Sequence, residues 1–341
     1  MSPQDLLPSD AAIAAALRPY LAGRAAPVLL AVSGGPDSTA LLAACAASRA
    51  ETPVHAATVD HGLRPESEAE ARAVAALCGE LGVPHRVLAW TGPKPAHGLQ
   101  AAARTARYDL LARHAATIGA DLLLTGHTRD DQAETVLMRL LAGSGPAGLA
   151  GMRPARPLGA LCLARPFLDI SKADLVTYCA ARGLAFARDP ANHDARFARA
   201  RLRALLPVLA GEGLSPERLC RLAARCARDA EALDRAAAEA LATACETTDE
   251  SRLVLDGGRL RALPEAVLVR VVGLGLARLN PDGAERLERL ERLVFEAVLP
   301  ALRSGRTLRR TLRAVLVAVT PRGDLVLSPA PARRGPPTRV L

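Results

Sequence analysis

Apolar residues follow two alternating patterns along the first half of the chain, short runs typical of strands and longer stretches with helical spacing. The short runs predict strands at residues 28–32, 54–59, 85–90 and 122–125. The longer stretches predict helices at residues 37–48, 66–81, 99–118 and 130–141. This alternation is typical of an α/β fold in which helices cover a parallel sheet. Right-handed crossovers would bring the carboxyl ends of the strands to one edge, where such sheets bind their ligands.

The pattern changes after residue 142, where a passage rich in Gly and Pro predicts a long surface loop at residues 143–157. A strand is predicted next at residues 161–167, and a helix at residues 172–182 with Ser171 as its N-cap. Residues 207–214 have the composition of a linker. The first part of the chain therefore predicts a Rossmann-like domain with a parallel sheet.

The spacing beyond Ser215 is mainly helical. Helices are predicted at residues 216–244, 264–279 and 283–299, and a β-hairpin at residues 313–319 and 325–327. The expected second unit is a smaller, mainly helical domain that ends in a β-hairpin. The chain is thus divided into an N-terminal helical segment, a Rossmann-like domain, a helical domain and a flexible tail, at residues 1–24, 25–210, 211–328 and 329–341.

Composition favours a globular protein with a polyanionic partner. Half of the residues are apolar, 23% are charged, and the formal net charge is +9. Arginine carries nearly all of the positive charge, because Lys94 and Lys172 are the only lysines. A compositional habit of the source explains these arginines as well as a nucleic-acid partner does, so the charge alone does not decide.

Cysteine usage and the amino terminus argue against several classes of protein. The seven cysteines are scattered and include no Cys-x-x-Cys pair, which disfavours disulfide, zinc and iron–sulfur frameworks. The first seventeen residues contain no Lys or Arg, and the apolar run at residues 11–17 is too short for a signal peptide or a membrane span. A cytoplasmic location without a membrane partner is therefore expected.

A glycine-rich turn follows the first predicted strand and opens a helix, with the sequence Ser33-Gly34-Gly35-Pro36-Asp37-Ser38. Its glycines let the backbone approach an anion, and its amides can donate hydrogen bonds to phosphate. A carboxylate repels phosphate unless a divalent cation lies between them, so Asp37 indicates Mg²⁺. No Gly-Lys-Ser/Thr follows, which excludes the mononucleotide loop of GTPases and kinases. An ordinary strand-to-helix turn is the alternative.

Polar residues also follow the fourth predicted strand. Gly126 and His127 lead into a helix that opens with Asp130, Asp131 and Glu134, whose charge the helix amino terminus stabilises. In one interpretation the two aspartates only cap the helix. In the other, one of them and Asp37 hold Mg²⁺ on the phosphates of ATP, with His127 nearby as a hydrogen-bond donor.

Two weaker motifs complete the predicted sheet edge. Asp60 and His61 end the second strand, where adenine or ribose would lie, although a turn with a solvated charge explains them equally well. Arg104, Arg107 and Tyr108 share one turn of a predicted helix. These arginines either reach phosphate or form a solvated helix face.

In order and spacing, these motifs resemble the tRNA(Ile)-lysidine synthetase family of the PP-loop ATP pyrophosphatase superfamily. The resemblance is close over residues 25–210 and looser through the helical domain. It rests on residues 33–38, 60–64, 104–108, 126–135, 143–145, 148–152 and 189–192. In this family, ATP adenylates the wobble cytidine at C2, position 34 of the isoleucine tRNA with a CAU anticodon. The ε-amine of free L-lysine then displaces AMP, which gives lysidine and changes decoding from AUG to AUA.

The resemblance implies an ATP-dependent ligase that uses Mg²⁺, and it implies a role for several residues of this chain. The implied ATP-binding residues are Ser33, Gly34, Gly35, Pro36, Asp37, Ser38, Asp60, His61, Gly126 and His127. The implied catalytic residues are Asp37, Arg104, Asp130 and Asp131, and the implied metal ligands are Asp37 and Asp131. The implied tRNA-binding residues are Arg64, Arg107, Arg196, Arg199 and Arg203, with further RNA contacts expected from the helical domain.

Two departures from the family and two other functions qualify this interpretation. Ala200 stands where the family usually has Asn, and the chain is expected to be a short form without the additional C-terminal domain. A related tRNA 2-thiolating enzyme would need catalytic cysteines, and none is expected near the sheet edge. A non-catalytic nucleotide- or RNA-binding module would make the acidic residues dispensable. The sequence leaves the lysine-binding residues and the oligomeric state open, a homodimer being one option.

Overall fold

A computed structural model describes residues 8–48, 52–63, 67–95, 97–187, 198–249, 251–281 and 287–331. These residues group into two units. The first unit lies within Met1–Ala142 and Ala150–Ala223, and the second lies within Gly143–Leu149 and Ala224–Leu341. Each unit contains a β-sheet of its own.

The sheet of the first unit has six strands in the described residues, in the order β3-β2-β1-β4-β6-β5. They are β1 (Val28–Ala31), β2 (Val54–Asp60), β3 (His85–Ala89), β4 (Leu122–Thr125), β5 (Ala155–Leu158) and β6 (Leu161–Ala164). Neighbouring strands are parallel, except that β5 pairs with β6 as an antiparallel hairpin at one edge. Because β1 is in parallel register with both β2 and β4, the carboxyl ends of these three strands lie side by side.

Helices cover both faces of this sheet. The helices of the first unit are α1 (Pro8–Leu21), α2 (Pro36–Ala47), α3 (Ser67–Glu80), α4 (Leu99–Ile118), α5 (Arg129–Leu141), α7 (Lys172–Ala181) and α8 (Ala198–Gly211), followed by the start of α9 (Pro216–Ala244). Residues of α1, α2, α3 and α7 form the core on one face, and Tyr108, Leu111 and Ala115 of α4 form it on the other. The strands β1 and β4 are buried along their whole length, as central strands of a doubly covered sheet must be.

A third core cluster of the first unit joins α5 to α8. Val136 and Leu137 of α5 pack in one buried cluster with Leu202 and Leu206 of α8 and with Leu219. Each fully buried aliphatic side chain contributes about 1.5–3 kcal/mol. This packing fixes α8 beside α5, whose first two turns carry the acidic residues.

The second unit is built on an antiparallel sheet in the order β7-β8-β11-β10-β9. Its strands are β7 (Cys245–Asp249), β8 (Arg252–Leu255), β9 (Leu308–Leu312), β10 (Val315–Val319) and β11 (Leu325–Pro329). Its helical segments besides α9 are α6 (Pro146–Leu149), α10 (Gly257–Ala262), α11 (Glu265–Leu279), α12 (Leu287–Leu293), a π-helical turn (Val294–Val298) and α13 (Leu299–Ser304). Val315, Val317 and Val319 alternate inward along β10, which is the period of a half-buried strand.

The α/β class and the terminal hairpin are confirmed, but three sequence predictions are wrong in detail. The passage at residues 143–157 is not one loop, since it contains α6 and β5. The predicted linker begins inside α8, which accommodates Pro207. The hairpin of β10 and β11 belongs to a larger sheet, and Pro329, expected in the tail, lies in β11. Residues 332–341 lie outside the described residues, and the predicted domain boundaries remain predictions.

No helix in the described part of the chain is both long enough and apolar enough to span a membrane.

Candidate active site

The turn after β1 is arranged as an anion-binding loop. Gly34 adopts a left-handed conformation with φ of 83°, and Pro36 occupies the first turn of α2 after the N-cap Gly35. The Ser38 hydroxyl accepts a hydrogen bond from the Ser33 amide at 3.1 Å and donates one to the Gly35 carbonyl at 3.0 Å. The first-turn amides of a helix have no intrahelical acceptor, so this loop directs free donors towards a ligand.

Asp37 lies at the start of α2 with little access to solvent. Its Oδ2 is 3.4 Å from Nζ of Lys172, whereas its Oδ1 is buried and has no hydrogen-bond partner. Burial is the main cause that raises the pKa of Asp37 to about 6, and the nearby charges of Asp131 and Asp130 raise it further against the opposing effect of Lys172. An additional cation at Oδ1 would stabilise the ionised carboxylate of Asp37.

The amino terminus of α5 holds the second pair of carboxylates. Asp131 forms a capping box with Thr128: its Oδ2 accepts hydrogen bonds from the Thr128 amide at 2.9 Å and from the Thr128 hydroxyl at 3.0 Å. Asp130 Oδ2 accepts a hydrogen bond from the backbone amide of Lys172 at 2.8 Å, which ties α5 to α7. Asp131 therefore caps the helix, as the first interpretation predicts. Capping uses only its Oδ2, and the residue also lines the cavity described below.

Gly126 and His127 connect β4 to this helix. A Cβ atom on Gly126 would lie 2.7 Å from the carbonyl oxygen of Asp37, so only glycine lets β4 end against the anion-binding loop. Nδ1 of His127 and the hydroxyl of Thr125 are hydrogen-bonded at 2.8 Å. Burial, together with the charges of Arg107, Arg165 and Arg104, lowers the pKa of His127 to about 4, so its imidazole is neutral at physiological pH.

A cavity of about 610 Å³ opens at this edge of the sheet. Its walls bring together half of the site residues named from the sequence, namely Ser33, Gly35, Pro36, Asp37, His61, Arg107, Asp131, Arg199 and Arg203. Its volume suits a nucleotide-sized ligand. Ala200, which stands where the family usually has Asn, also lines this cavity.

Other predicted residues lie outside its walls. Asp60 accepts a hydrogen bond from the Gly62 amide at 2.8 Å and so closes a turn, whereas its neighbour His61 faces the cavity and packs edge-on against Trp90. Arg104 is exposed and lies over the ring of Tyr108. Arg64 and Arg196, together with residues 189–192, fall outside the described residues.

A second, smaller cavity of about 300 Å³ adjoins the first, and both are lined by Asp131, Lys172 and Arg203. Glu134 lines the smaller cavity, is almost completely buried, and pairs through Oε1 with Nε of Arg203 at 2.7 Å. The other oxygen, Oε2, is buried without a hydrogen-bond partner. Leu206, Pro207 and Ala210 of α8 form an apolar wall opposite these charges.

Sequence reasoning gave no role to Glu134, Lys172 or Arg165. A usable signal existed for two of them. Glu134 follows Asp131 by three residues and so shares its helix face, and Lys172 starts the helix after the last parallel strand, at the same sheet edge. Arg165 gave no such signal, because its burial depends on strands β5 and β6 and the loop between residues 143 and 157 was expected to lack structure.

The expectation that no cysteine lies near the sheet edge is wrong. Sγ of Cys179 is 3.5 Å from the carbonyl oxygen of Pro36, beneath the anion-binding loop. This thiol is fully buried, and burial raises its pKa to about 11. A buried, protonated thiol is a poor nucleophile, so its position gives no support to sulfur transfer.

Comparisons with known proteins agree with this geometry. The family model of the PP-loop domain matches residues 10–209. The chain is 57% identical to the tRNA(Ile)-lysidine synthase of Methylobacterium sp. (strain 4-46) over 324 residues, which cover 93% of this chain and 94% of that protein. It is 56% identical to the tRNA(Ile)-lysidine synthase of Methylobacterium nodulans over 315 residues, which cover 92% and 93%.

Among solved structures, the U34-tRNA thiolase NcsA from Methanococcus maripaludis, determined with its [4Fe-4S] cluster, matches 64% of this chain and 79% of its own. The TM-score is 0.55 and the sequence identity 17%, so this likeness concerns the fold alone. The resemblance inferred from the motifs is confirmed by the full-length relatives. The chain belongs to the tRNA(Ile)-lysidine synthase family of PP-loop proteins.

Proposed function

We propose that this protein ligates free L-lysine to C2 of the wobble cytidine, position 34, of the isoleucine tRNA with a CAU anticodon. ATP first adenylates the cytidine through O2 and releases pyrophosphate. The ε-amine of lysine then attacks C2, and AMP departs with the former O2. The product is lysidine, which reads AUA. Membership of the family and the near full-length relatives support this reaction.

The observation that carries the proposal is the small acidic cavity beside the nucleotide cavity, with Asp131, Lys172 and Arg203 common to both. A ligase of this kind must hold two small substrates side by side, so that the amine meets the activated base without passing through solvent. Two adjoining cavities with shared walls meet that requirement.

The smaller cavity has the chemistry that free lysine needs. Its carboxylates, from Asp130, Asp131 and Glu134, can bind ammonium groups, and its apolar wall can cover the aliphatic part of the side chain. Arg203 can receive the carboxylate of the amino acid. The buried and unpartnered Oε2 of Glu134 lacks the donor that a bound ammonium would supply.

We assign ATP to the larger cavity. We assign its phosphates to the loop from Ser33 to Ser38, where the amides at the start of α2 act as preorganised donors. Arg107 lines the same cavity and forms no ion pair within the described residues, so its charge is available to the α-phosphate or to the departing pyrophosphate. His61 stands at the opposite wall, after β2, where a base or ribose would lie.

The residues present also fit Mg²⁺. Among the described residues, no three His, Cys, Asp or Glu side chains form a complete metal-binding group. Mg²⁺ is usually bound by one or two carboxylates, with phosphate oxygens and water completing its shell, and Asp37 and Asp131 supply that number. The unpartnered Oδ1 of Asp37 is the position that we assign to the ion. Bound there, Mg²⁺ would offset charge on the triphosphate and on pyrophosphate as it leaves.

The lysine ammonium must lose a proton before its nitrogen can attack. Asp130 and Glu134 line the smaller cavity without being assigned to the metal, so they are the carboxylates that we place as proton acceptors. The cytosine O2 would then leave as part of AMP, which is a far better leaving group than an oxide. This chain therefore orients the three reactants and moves one proton.

Binding of the tRNA is assigned to exposed arginines on each unit. Arg199 on α8 is exposed and lines the larger cavity, as expected for a residue at its entrance. In the second unit, Arg309 and Arg310 are exposed on the edge strand β9. Phosphate contacts of this kind supply affinity and salt dependence rather than sequence readout. We further propose that the protein acts in the cytoplasm and that a homodimer is compatible with this activity.

The test is incorporation of labelled lysine into an unmodified tRNA with a CAU anticodon, in the presence of ATP and Mg²⁺. We expect label in that tRNA and none in a transcript whose wobble cytidine is replaced by uridine. Glu134→Gln should raise the KM for lysine at least tenfold while ATP binding stays unchanged. Folded protein that binds ATP but incorporates no lysine would refute the proposal.

A further inference from the structure

Three arginines from different elements of the first unit surround Tyr108, and we refer to Arg104, Arg156 and Arg165 as the arginine cluster. The guanidinium carbon of Arg104 on α4 lies 5.1 Å from the centre of the Tyr108 ring, and that of Arg156 on β5 lies 5.7 Å from it. Arg165 follows β6, is 3% exposed, and donates a hydrogen bond from Nη1 to the Arg153 carbonyl at 2.7 Å.

The arginine cluster has no carboxylate partner in the described residues, where none of its three members forms an ion pair. Two other partly buried arginines of this unit do have carboxylate partners: Arg203 pairs with Glu134, and Arg182 pairs with Asp10. The side chain of Arg165 interacts with that of Tyr108, yet Nε of Arg165 and the Tyr108 hydroxyl are both buried without a hydrogen-bond partner that meets normal geometry. Concentrating unpaired cations in this way lowers stability, which indicates that an anion from a ligand completes the group.

The geometry selects phosphate as that anion. Cation–π contact with Tyr108 holds the guanidinium groups of Arg104 and Arg156 near its ring. Nη1 of Arg156 donates to the Pro157 carbonyl at 3.1 Å, and the other N–H groups of the two arginines are the donors that we assign to a ligand. The planar fork of arginine binds phosphate through two parallel hydrogen bonds, and a guanidinium held in place loses less entropy when it binds.

The position of the arginine cluster separates it from the phosphates of ATP. None of its members lines the nucleotide cavity, whereas Arg107, one helical turn along from Arg104, does. Arg165 directly follows Ala164, which pairs with Leu124 of β4 two residues before Gly126, so the cluster lies beside the sheet edge that carries the candidate site. A strand of RNA that delivers a base into the cavity would carry its neighbouring phosphates past this point.

We infer that the arginine cluster holds a backbone phosphate of the RNA substrate, next to the nucleotide whose base enters the larger cavity. This inference rests on the proposed function and adds to it a site for the substrate's backbone. Arg104, for which the resemblance implied a catalytic role, would then act with the rest of the cluster as a positioning residue that does not contact the reacting atoms.

The experiment compares Arg156→Gln, Arg104→Gln and the double variant with the parent. Arg113→Gln is the matched control, because Arg113 is an exposed arginine on the same helix as Arg104, donates from Nε to the Asp109 carbonyl, and is not among the described arginines that lie over the Tyr108 ring. Arg165 is left unchanged, since replacing a buried side chain risks misfolding. Binding of the CAU-anticodon tRNA is measured over a range of salt concentrations, ATP binding is measured by calorimetry, and steady-state constants are measured for tRNA.

We expect each cluster variant to weaken tRNA binding about tenfold at low salt and to reduce the slope of log K against log salt by about 0.7–0.9. The KM for tRNA should rise while kcat for Arg156→Gln stays within about twofold, and ATP affinity and the Arg113→Gln control should match the parent. Unchanged tRNA affinity and slope in the double variant would overturn the inference alone. Weaker ATP binding would assign the cluster to the nucleotide instead and also overturn it, whereas a parent that binds no tRNA would overturn the proposed function.

Discussion

Asp37 carries a charge that the folded protein stabilises poorly on its own. Its Oδ1 is buried without a donor, and two further carboxylates act on it from the start of α5. Lys172 offsets part of this repulsion at 3.4 Å. The residue is thus held in a state that favours cation binding at some cost in stability, as is common for catalytic groups.

Replacing Asp37 by Asn should raise the stability of the protein and lower its activity. At neutral pH the variant no longer holds a buried carboxylate whose pKa is raised to about 6, so in the absence of Mg²⁺ its free energy of unfolding should increase by about 1–3 kcal/mol. Lysine incorporation should fall at least a hundredfold, because a metal ligand is lost. Urea denaturation in EDTA and the lysine assay measure the two effects. A variant that keeps its activity would show that Asp37 is not a required metal ligand, whereas a folded parent that incorporates no lysine would support the non-catalytic alternative.

His127 gives a pH-dependent prediction. Its folded pKa of about 4 lies below its ordinary value of 6.5, so between these values the unfolded chain binds more protons than the folded protein. The stability from His127 is therefore present above pH 6.5 and is lost as the pH falls towards 4. The free energy of unfolding of the parent should therefore fall as the pH is lowered through this window. The fall should be smaller for His127→Asn, by about 1–3 kcal/mol.

Urea denaturation at several pH values between 7.5 and 5 measures this difference. His97→Asn is the control, because His97 is exposed, and its curve should run parallel to that of the parent. Parallel curves for His127→Asn and the parent would show that His127 is not held neutral by its surroundings.

At the scale of elements, the site depends on how closely β4 approaches the start of α2. A Cβ at Gly126 would lie 2.7 Å from the Asp37 carbonyl oxygen and 3.1 Å from the Ser38 amide nitrogen, both of which are backbone atoms. Backbone cannot rotate away as a side chain can, so the anion-binding loop itself would have to move.

Gly126→Ala should therefore lower ATP affinity at least tenfold and lower the melting temperature by several degrees. Gly79→Ala is a suitable comparison, because Gly79 lies in α3 and its added methyl group would meet no atom within 4 Å. That change should leave ATP binding intact and stabilise the protein by up to about 1 kcal/mol. Calorimetric titration with ATP and thermal denaturation check both variants. Equal ATP affinity in the two would contradict the proposed contact.

The sequence predicted elements well where a single period dominates a segment. The strand at residues 122–125 and the helices at residues 99–118 and 216–244 end where the structure places them. It failed where long-range pairing decides: β5 exists because it pairs with β6, and β7, β8 and β9 exist because they extend the terminal hairpin. Pro207 was interpreted as a break, yet the packing of Leu202 and Leu206 against α5 holds the helix through it.

The residues of the candidate site were likewise predictable only where a local pattern reports them. Ser33, Asp37 and Asp131 were predictable because they follow strands and meet at one sheet edge. The acidic pocket was not, because it requires α8 to lie against α5, a contact between segments about 70 residues apart that no local pattern reports. Arg104 and Arg107 are neighbours in sequence, but only the second lines the larger cavity, a difference set by the rotation of α4 on the sheet.

Across the whole molecule, the arginines behind the net charge of +9 fall into two groups, those with a carboxylate partner and those without one in the described residues. Arginines with carboxylate partners, such as Arg182 and Arg203, hold the first unit together, whereas Arg199 and the arginine cluster have no such partner within the described residues. Arg309 and Arg310 are exposed on the edge strand of the second unit. Under the proposed function, these arginines would be available to the phosphates of an RNA substrate.

The proposed reaction uses ATP to convert the cytidine O2 into a leaving group. A CAU-anticodon tRNA that carries ¹⁸O at O2 of the wobble cytidine, incubated with the protein, lysine, ATP and Mg²⁺, shows where that oxygen goes. We expect each lysidine formed to be matched by one AMP that contains the ¹⁸O, and the pyrophosphate to be unlabelled. AMP without the isotope, or ADP and phosphate in place of AMP and pyrophosphate, would contradict this reaction.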